Sequence, residues 1–159
     1  VLAQGISLNA DLTIGTITFL ISIVVLILWI PLGQKPGMGT IFNALIIALM
    51  IDLCIKFVPT PSNYIHQIIL AVISVITVGI GGGIYLVSNL GAGPRDGLMI
   101  GLQKISNLPI AVVRGTLEIS VVSVGWYLGG TVGLGTLLFA FGIGPCVALG
   151  LYLVDKIFD

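Results

Sequence analysis

Residues 12–33 read LTIGTITFLISIVVLILWIPLG and contain no charged side chain. A helix of about 20 mostly apolar residues crosses the hydrocarbon core of a bilayer. Inside that core every backbone N–H and C=O must be paired, which helices and closed barrels achieve, and the period-two alternation of a barrel strand is absent here. The stretch therefore predicts a transmembrane helix that ends near Trp29, as an interfacial aromatic anchor, and Pro31, as a helix stop.

The composition of the whole chain favours a membrane protein. Of its 159 residues, 57% are apolar and 8% are charged, whereas a soluble surface needs about 25–35% charged side chains. The six basic and six acidic residues cancel, so no basic face is available to bind nucleic acid. Cys54 and Cys146 lie in apolar stretches and His66 is the one histidine, which predicts no disulfide, no metal site and no bound cofactor.

Four further apolar stretches follow the first one. We assign them as spans at residues 38–58, about 65–90, about 109–129 and about 133–156, with a loop at 59–64. The last two are separate spans because the charge-free run Ile119–Val154 has 36 residues, too many for one helix. The segment 94–106 is too short to cross and predicts a re-entrant helix, begun by Pro94 with Asp96 as its capping carboxylate. The predicted fold is an all-α polytopic membrane protein with five transmembrane helices and this short re-entrant helix.

An internal repeat emerges when the sequence is shifted by 96 positions. The turn Gly37-Met-Gly-Thr40 then falls on Gly133-Leu-Gly-Thr136, and Val1–Leu8 falls on Gly97–Lys104. We therefore divide a single transmembrane domain, residues 1–159, into repeat 1 at about 1–58 and repeat 2 at about 63–159. Repeat 1 lacks a counterpart of the third span, so we expect it to be truncated before Val1. Because a complete copy has three spans, an odd number, the copies enter the membrane from opposite sides as an inverted 3+3 repeat.

The distribution of positive charge predicts the orientation of the chain. With five crossings and a re-entrant segment, one face receives Lys56 alone. The other face receives the remaining basic residues, Lys35, Arg95, Lys104, Arg114 and Lys156. Cytoplasmic loops carry an excess of Lys and Arg, so this bias predicts a cytoplasmic C-terminus.

Two strings of the sequence resemble the signatures of a known family. They are Pro31-Leu-Gly-Gln-Lys-Pro-Gly-Met-Gly-Thr-Ile-Phe-Asn43 and Gly91-Ala-Gly-Pro-Arg-Asp96. Through them the chain is similar, over most of its length, to the YczE/YyaS/YitT-like bacterial membrane proteins. The resemblance implies a protein of the bacterial inner membrane, with one more span and one more Gly-Pro-Asp turn before Val1. The presumed role of that family is transport.

Charged residues within the spans are candidate functional residues, because each one costs about 2.5–3.5 kcal/mol at membrane depth on insertion scales. Glu118 lies near mid-depth of the fourth span, one helical turn after Arg114. The two predict either a structural ion pair or a polar cavity in which Glu118 holds a proton or cation and Arg114 holds an anionic group. Asp52 has Lys56 one turn later, which predicts an ion pair near an interface, with a binding role for Asp52 as the alternative.

Further polar residues extend this candidate site. Arg95 and Asp96 open the short helix, where Asp96 either caps the helix or acts with Arg95 and the positive helix end in binding a solute. Gln4 and Gln103 lie one on each short helix, and Asn43 lies in the second span. We expect these side chains to line the same cavity.

These features predict a small secondary transporter or channel-like permease for a polar solute, with its site between the two repeats. The alternative is a non-transporting accessory or structural subunit of a membrane complex. The expected partners are the lipid bilayer, the solute, and either a second copy of the chain or a partner subunit. The sequence contains no Gly-x-Ser-x-Gly, no paired histidines and no phosphate-binding loop, so we expect no enzymatic activity.

Overall fold

A computed structural model describes residues 1–59 and 61–158, so Thr60 in the predicted loop lies outside the described residues. The described part consists of seven helices and contains no strand. The helices are α1 Leu2–Ala10, α2 Ile14–Trp29, α3 Met38–Phe57, α4 Tyr64–Val87, α5 Pro94–Ser106, α6 Ile110–Tyr127 and α7 Leu134–Phe158. The prediction of an all-helical chain is confirmed over these residues.

Three helices, α3, α4 and α7, are each long and apolar enough to cross a membrane. Helices α1 and α2 reach that length together, but they meet at 115° across a short break. Helix α2 has 16 residues, and α6 has 18, among them Arg114 and Glu118. The prediction of a membrane protein is therefore confirmed, and the predicted spans at α2 and α6 stay predictions.

The predicted short helix is α5, whose bounds agree with the predicted 94–106. Its 13 residues rise about 20 Å, less than the roughly 30 Å of a hydrocarbon core. Pro94 lies in its first turn, and Asn107 ends it in the left-handed conformation (φ 55°). The predicted capping role of Asp96 is wrong, because Gly93 is the N-cap residue and the Asp96 side chain makes no capping hydrogen bond.

The described residues group into two compact units. Unit 1 contains Val1–Val58 and Leu90–Thr131, hence α1, α2, α3, α5 and α6. Unit 2 contains Pro59–Asn89 and Val132–Asp159, hence α4 and α7. All of the binding residues predicted from the sequence belong to unit 1, which is where we look for a site.

Glycines bring the backbones of α4 and α7 together in unit 2. A methyl group added at Gly79 would lie 2.1 Å from Cys146 Cβ. One added at Gly150 would lie 2.6 Å from the Ile80 carbonyl oxygen. Small residues that allow such close approach are typical of helix packing in membranes.

The two short helices of unit 1 pack reciprocally. Helix α1 contacts α2 and α6, and helix α5 contacts α6 and α2. A methyl group added at Gly5 of α1 would lie 2.9 Å from Leu128 Cβ, just after α6. One added at Gly101 of α5 would lie 2.9 Å from Leu32 Cβ, just after α2. Each short helix therefore uses a glycine to rest on the end of a long helix from the other predicted repeat.

Trp29 ends α2 and packs its side chain against α5. Its side chain is 2% exposed, and its Nε1 donates a hydrogen bond to the Pro94 carbonyl oxygen at 2.9 Å. The ring covers Gly97, where an added methyl group would overlap it. The predicted role of Trp29 as an interfacial anchor is wrong. Because glycine has no side chain, position 97 leaves room on α5 for the indole.

The first turn of α3 holds the segment that leads into α5. The Gly39 N–H donates to the Leu90 carbonyl oxygen at 2.9 Å, and the Thr40 hydroxyl donates to the Ala92 carbonyl oxygen at 2.7 Å. Thr40 is fully buried, and its hydroxyl also accepts from the Gly37 N–H at 3.1 Å. The two strings that resemble family signatures are therefore in direct contact.

Thr40→Val is expected to lower the free energy of unfolding by about 1–3 kcal/mol, because it removes the donor to the part-buried Ala92 carbonyl. The matched control is Thr136→Val in the equivalent turn of α7. There the Thr136 hydroxyl accepts from the Gly133 N–H at 3.5 Å, and a methyl group at Gly135 would meet nothing within 4 Å. Thermal unfolding in detergent, followed by circular dichroism, measures both variants. Equal losses would contradict a specific role for Thr40.

Candidate functional site

Two arginines share one carboxylate oxygen in unit 1. Arg114 Nε donates to Glu118 Oε1 at 3.0 Å, and an Nη of Arg95 donates to the same oxygen. Arg114 and Glu118 lie four positions apart on α6 and so face the same side, while Arg95 reaches them from the first turn of α5. We call these three residues the arginine cluster. The structure brings them together from two helices, although the sequence suggested only the pair within α6.

The arginine cluster is partly open and carries net charge. The side chains of Arg95, Arg114 and Glu118 are 49%, 31% and 19% exposed, so the carboxylate lies deepest. Two guanidiniums against one carboxylate leave one positive charge. Neither guanidinium has a further protein acceptor among the described residues. Because hydrogen bonds from arginine to an oxyanion are stronger than those between neutral groups, the arrangement can hold an anionic group.

Asp96 and Asn43 lie at the N-terminal end of α5, beside the arginine cluster. A methyl group at Gly93 would lie 3.2 Å from Asp96 Oδ2 and 3.4 Å from Asn43 Oδ1. Burial raises the pKa of the Asp96 carboxyl, and the nearby Arg95 and Arg114 lower it to a smaller extent. Asp96 therefore takes up a proton more readily than an exposed aspartate does. Within the described residues, no three His, Cys, Asp or Glu side chains converge as metal ligands would.

Gln4 and Gln103 lie apart from the arginine cluster. Gln4 Oε1 accepts from the Thr131 N–H at 3.2 Å and from the Thr131 hydroxyl at 2.9 Å, which ties α1 to the turn after α6. Gln103 borders a surface depression at the other end of α5, about 12 Å along the helix from Arg95. In the described part of the chain, no hydrogen bond joins either glutamine to the arginine cluster.

Asp52 fixes the start of α2. Its Oδ2 accepts from Thr13 Oγ1 at 2.6 Å, and its Oδ1 accepts from the Gly15 N–H at 2.7 Å. A helix N-terminus has unpaired N–H groups and a positive dipole end, and both favour a carboxylate. The predicted ion pair with Lys56 is wrong: it is absent from the ion pairs of the described residues, and Lys56 Nζ lies 5.8 Å from the centre of the Phe57 ring.

Sequence reasoning missed two residues that position the site. Thr40 holds the segment before α5 and Trp29 holds its first turn, so together they place Arg95 and Asp96. A signal existed for Thr40, because its Gly-x-Gly-Thr turn recurs at Gly133–Thr136. No signal existed for Trp29, since an indole at the end of an apolar helix is also what a membrane interface selects.

Two proteins show the extent of similarity to known sequences. The chain is 43% identical over 157 residues to a Haemophilus influenzae protein named "Uncharacterized protein", covering 99% of this chain and 72% of that one. It is 34% identical over 105 residues to the Bacillus subtilis "Uncharacterized membrane protein YczE", covering 66% of this chain and about half (49%) of YczE. No solved structure matches the chain.

The family described as "Family of unknown function (DUF6198)" matches residues 1–151. This range includes both strings that resemble family signatures and the whole arginine cluster. The predicted resemblance to YczE-like proteins is confirmed by the match to YczE itself. The chain is therefore a membrane protein that belongs to the DUF6198 family.

Proposed function

We propose that the chain is a small secondary transporter or channel-like permease for a polar solute, with the arginine cluster as its solute site. The observation that carries the proposal is the sharing of the Glu118 carboxylate between Arg95 and Arg114. Charged residues in a membrane protein mark substrate and ion pathways, because hydrocarbon disfavours them strongly. A structural ion pair needs one arginine for one carboxylate, whereas here a second arginine adds N–H donors that a solute can use.

An inverted repeat supports this proposal. Each long helix of repeat 1 begins 96 residues before its counterpart in repeat 2. The starts are Ile14 and Ile110 for α2 and α6, and Met38 and Leu134 for α3 and α7. Helices α1 and α5 also end 96 residues apart, and each is followed by a residue in the left-handed conformation, Asp11 (φ 49°) and Asn107 (φ 55°). This agreement of helix ends does not depend on the apolar composition of the sequence.

The packing of unit 1 supports the repeat as well. Helix α1 rests on α6 while α5 rests on α2, and the contacts of Gly5 with Leu128 and of Gly101 with Leu32 are equivalent. A two-fold axis exchanges contacts in this way. If a complete copy has three spans, the axis lies in the membrane plane, as in inverted-repeat transporters. The spans of this chain are then α2, α3, α4, α6 and α7.

The position of the arginine cluster agrees with such a transporter. The cluster belongs to repeat 2, and Asn43 of repeat 1 reaches the same end of α5. Inverted-repeat transporters bind their substrates where the repeats meet, beside the ends of helices that do not cross. We place the protein in the bacterial inner membrane with its C-terminus in the cytoplasm, as the bias in positive charge favours.

An accessory subunit of a membrane complex is the second candidate function. Methyl groups added at Gly81 of α4, Gly115 of α6 and Gly144 of α7 would meet nothing within 4 Å. Small residues on the open side of a membrane helix favour packing against another helix, from a second copy or from a partner subunit. In this case the arginine cluster is structural and no solute crosses.

Solute flux through proteoliposomes tests the proposal. Vesicles that contain the purified chain are expected to take up at least one of glycerol, glycine, acetate and phosphate faster than empty vesicles, as measured by light scattering after an osmotic step. Glu118→Gln is expected to slow that uptake about tenfold, because without the carboxylate that competes for their N–H groups the arginines hold the solute more tightly and release it more slowly. Asp11→Asn is the matched control, because it changes an exposed carboxylate after α1 and leaves the arginine cluster intact.

Three outcomes count against parts of this proposal. Uptake equal to that of empty vesicles for all four solutes would favour the accessory subunit. Equal uptake by the wild type and Glu118→Gln would remove Glu118 from the mechanism. A loss in Asp11→Asn as large as that in Glu118→Gln would show that the effect is not specific to the arginine cluster.

A further inference from the structure

Both guanidiniums of the arginine cluster have N–H groups to spare. A guanidinium presents several N–H donors in a planar fork, and Arg95 and Arg114 each direct one of them to Glu118 Oε1. In the described part of the chain, neither arginine has another acceptor. The unused donors of both forks therefore lie around one shared oxygen.

The charge of the arginine cluster makes these donors selective. Two guanidiniums and one carboxylate sum to one positive charge, since arginine stays protonated at ordinary pH. A carboxylate or a phosphate matches both the sign of this charge and the planar fork. A cation matches neither, and an uncharged hydroxyl offers an acceptor without the charge.

We propose that the solute is an oxyanion, a small carboxylate or a phosphate, which exchanges with Glu118 on Arg95 and Arg114. This inference rests on the proposed function and names its substrate class. In the empty site the Glu118 carboxylate takes the place of the oxyanion and gives each arginine one hydrogen bond. When an oxyanion binds, it accepts from the unused donors of both arginines and competes with Glu118 for the donors that Glu118 holds.

The surroundings of the arginine cluster favour an anion. The cluster lies at the N-terminal end of α5, where the helix dipole adds partial positive charge. The adjacent Asp96 carboxyl has a raised pKa because of burial. It therefore holds a proton more readily, and it repels an incoming anion less than an exposed aspartate would.

One oxyanion is expected for each chain, because repeat 1 has no equivalent cluster among the described residues. The residues 96 positions before Arg114 and Glu118 are Thr18 and Ser22. The Thr18 hydroxyl donates to the Ile14 carbonyl oxygen at 2.7 Å, and the Ser22 hydroxyl donates to the Thr18 carbonyl oxygen at 2.9 Å. Both side chains are thus satisfied within their own helix and carry no charge for a solute.

Titration calorimetry of the full chain in an uncharged detergent tests the inference. Acetate and inorganic phosphate are the dissolved oxyanions, phosphatidylglycerol is the lipid source of an oxyanion, and glycerol is the uncharged comparison. The wild type is expected to bind one acetate or phosphate and no glycerol. Arg95→Gln and Arg114→Gln are each expected to weaken binding about ten- to hundredfold. Lys35→Gln, which removes an exposed loop cation, is expected to leave binding unchanged.

Glu118→Gln is expected to change the affinity in the opposite direction from the arginine variants. It removes the competing carboxylate and its negative charge from the arginine cluster, so acetate and phosphate should bind about tenfold more tightly. A site that binds a neutral or cationic solute through Glu118 would lose affinity instead. Circular dichroism checks the fold of each variant. If Arg114→Gln unfolds, Arg114→Lys replaces it, since lysine keeps the charge but not the fork and should also weaken binding.

Each result supports or overturns the inference. Binding of acetate or phosphate that both arginine variants weaken supports it, and binding of phosphatidylglycerol alone with the same dependence supports the oxyanion site and identifies a lipid headgroup as the source. No binding of any of these, or equal binding by the wild type and the arginine variants, overturns it. Uptake of glycerol without binding of any oxyanion would support the proposed transport function and contradict the oxyanion as its solute. Oxyanion binding without uptake would support the oxyanion site and contradict the proposed transport function.

Discussion

Gly97→Ala is expected to destabilise the protein by about 3 kcal/mol, in the upper part of the usual range for overpacking. The new methyl group would lie 2.0 Å from Trp29 Cζ2 and 2.4 Å from Trp29 Cη2. The indole has no free path away, because it is buried and its Nε1 is bonded to the Pro94 carbonyl oxygen. Helix α5 must then separate from α2. Because α5 carries Arg95, the contact with Glu118 should weaken as well.

Thermal unfolding of the purified variants measures this effect, with Gly115→Ala on α6 as the matched control. A methyl group at Gly115 would meet nothing within 4 Å, so alanine should be neutral or stabilise the helix by up to about 1 kcal/mol. Combining Gly97→Ala with Trp29→Phe should recover part of the loss, as expected for residues in direct contact. Coinciding unfolding curves for Gly97→Ala and Gly115→Ala would contradict the position of Trp29 against α5.

Gly79→Ala is expected to destabilise unit 2 by about 1–3 kcal/mol. The added methyl group would lie 2.1 Å from Cys146 Cβ and 3.0 Å from the Cys146 carbonyl carbon. Rotation of a side chain relieves neither overlap, since Cβ and the backbone are fixed to the helix. Helices α4 and α7 must therefore move apart, and the close approach of Gly83 to the Val147 carbonyl oxygen is lost with them.

Gly81→Ala is the control for Gly79→Ala on the same helix, because a methyl group at Gly81 would meet nothing within 4 Å. Unfolding by a denaturing detergent, followed by circular dichroism, compares the two variants. Adding Cys146→Gly to Gly79→Ala removes the overlapping Cβ and should restore part of the stability. A loss in Gly81→Ala equal to that in Gly79→Ala would mean that helix propensity, rather than the contact between α4 and α7, decides the effect.

The helices could be predicted from the sequence because hydrocarbon imposes a simple rule on the chain. An apolar stretch of sufficient length must be helical, and glycine and proline residues mark its ends. The span predicted at residues 12–33 corresponds to α2, which begins one residue after Thr13, whose hydroxyl accepts from the Thr16 N–H. The short helix α5 could be predicted with its correct bounds, since Pro94 precedes the apolar pattern and Asn107 and Pro109 interrupt it.

The pairing of the charged residues could not be predicted in the same way. The energetic penalty for a charge in hydrocarbon singles out Asp52 and Glu118, but it does not say which donor each one meets. For Asp52 the sequence offered Lys56 one turn away, whereas the carboxylate binds Gly15, 37 residues distant. For Glu118 the sequence offered Arg114, and Arg95 joins it because α5 packs on α6. Such contacts depend on tertiary packing that no local pattern encodes.

The enclosed indole of Trp29 makes the protein its own optical reporter. The sequence contains two tryptophans; Trp29 is buried against α5, whereas Trp126 on α6 is exposed. Indole fluorescence moves to longer wavelength when the ring becomes hydrated, and Trp126→Phe would leave Trp29 as the single tryptophan, beside the helix that carries Arg95. The wavelength of its emission maximum would then report any separation of α5 from α2 in real time, without an attached dye.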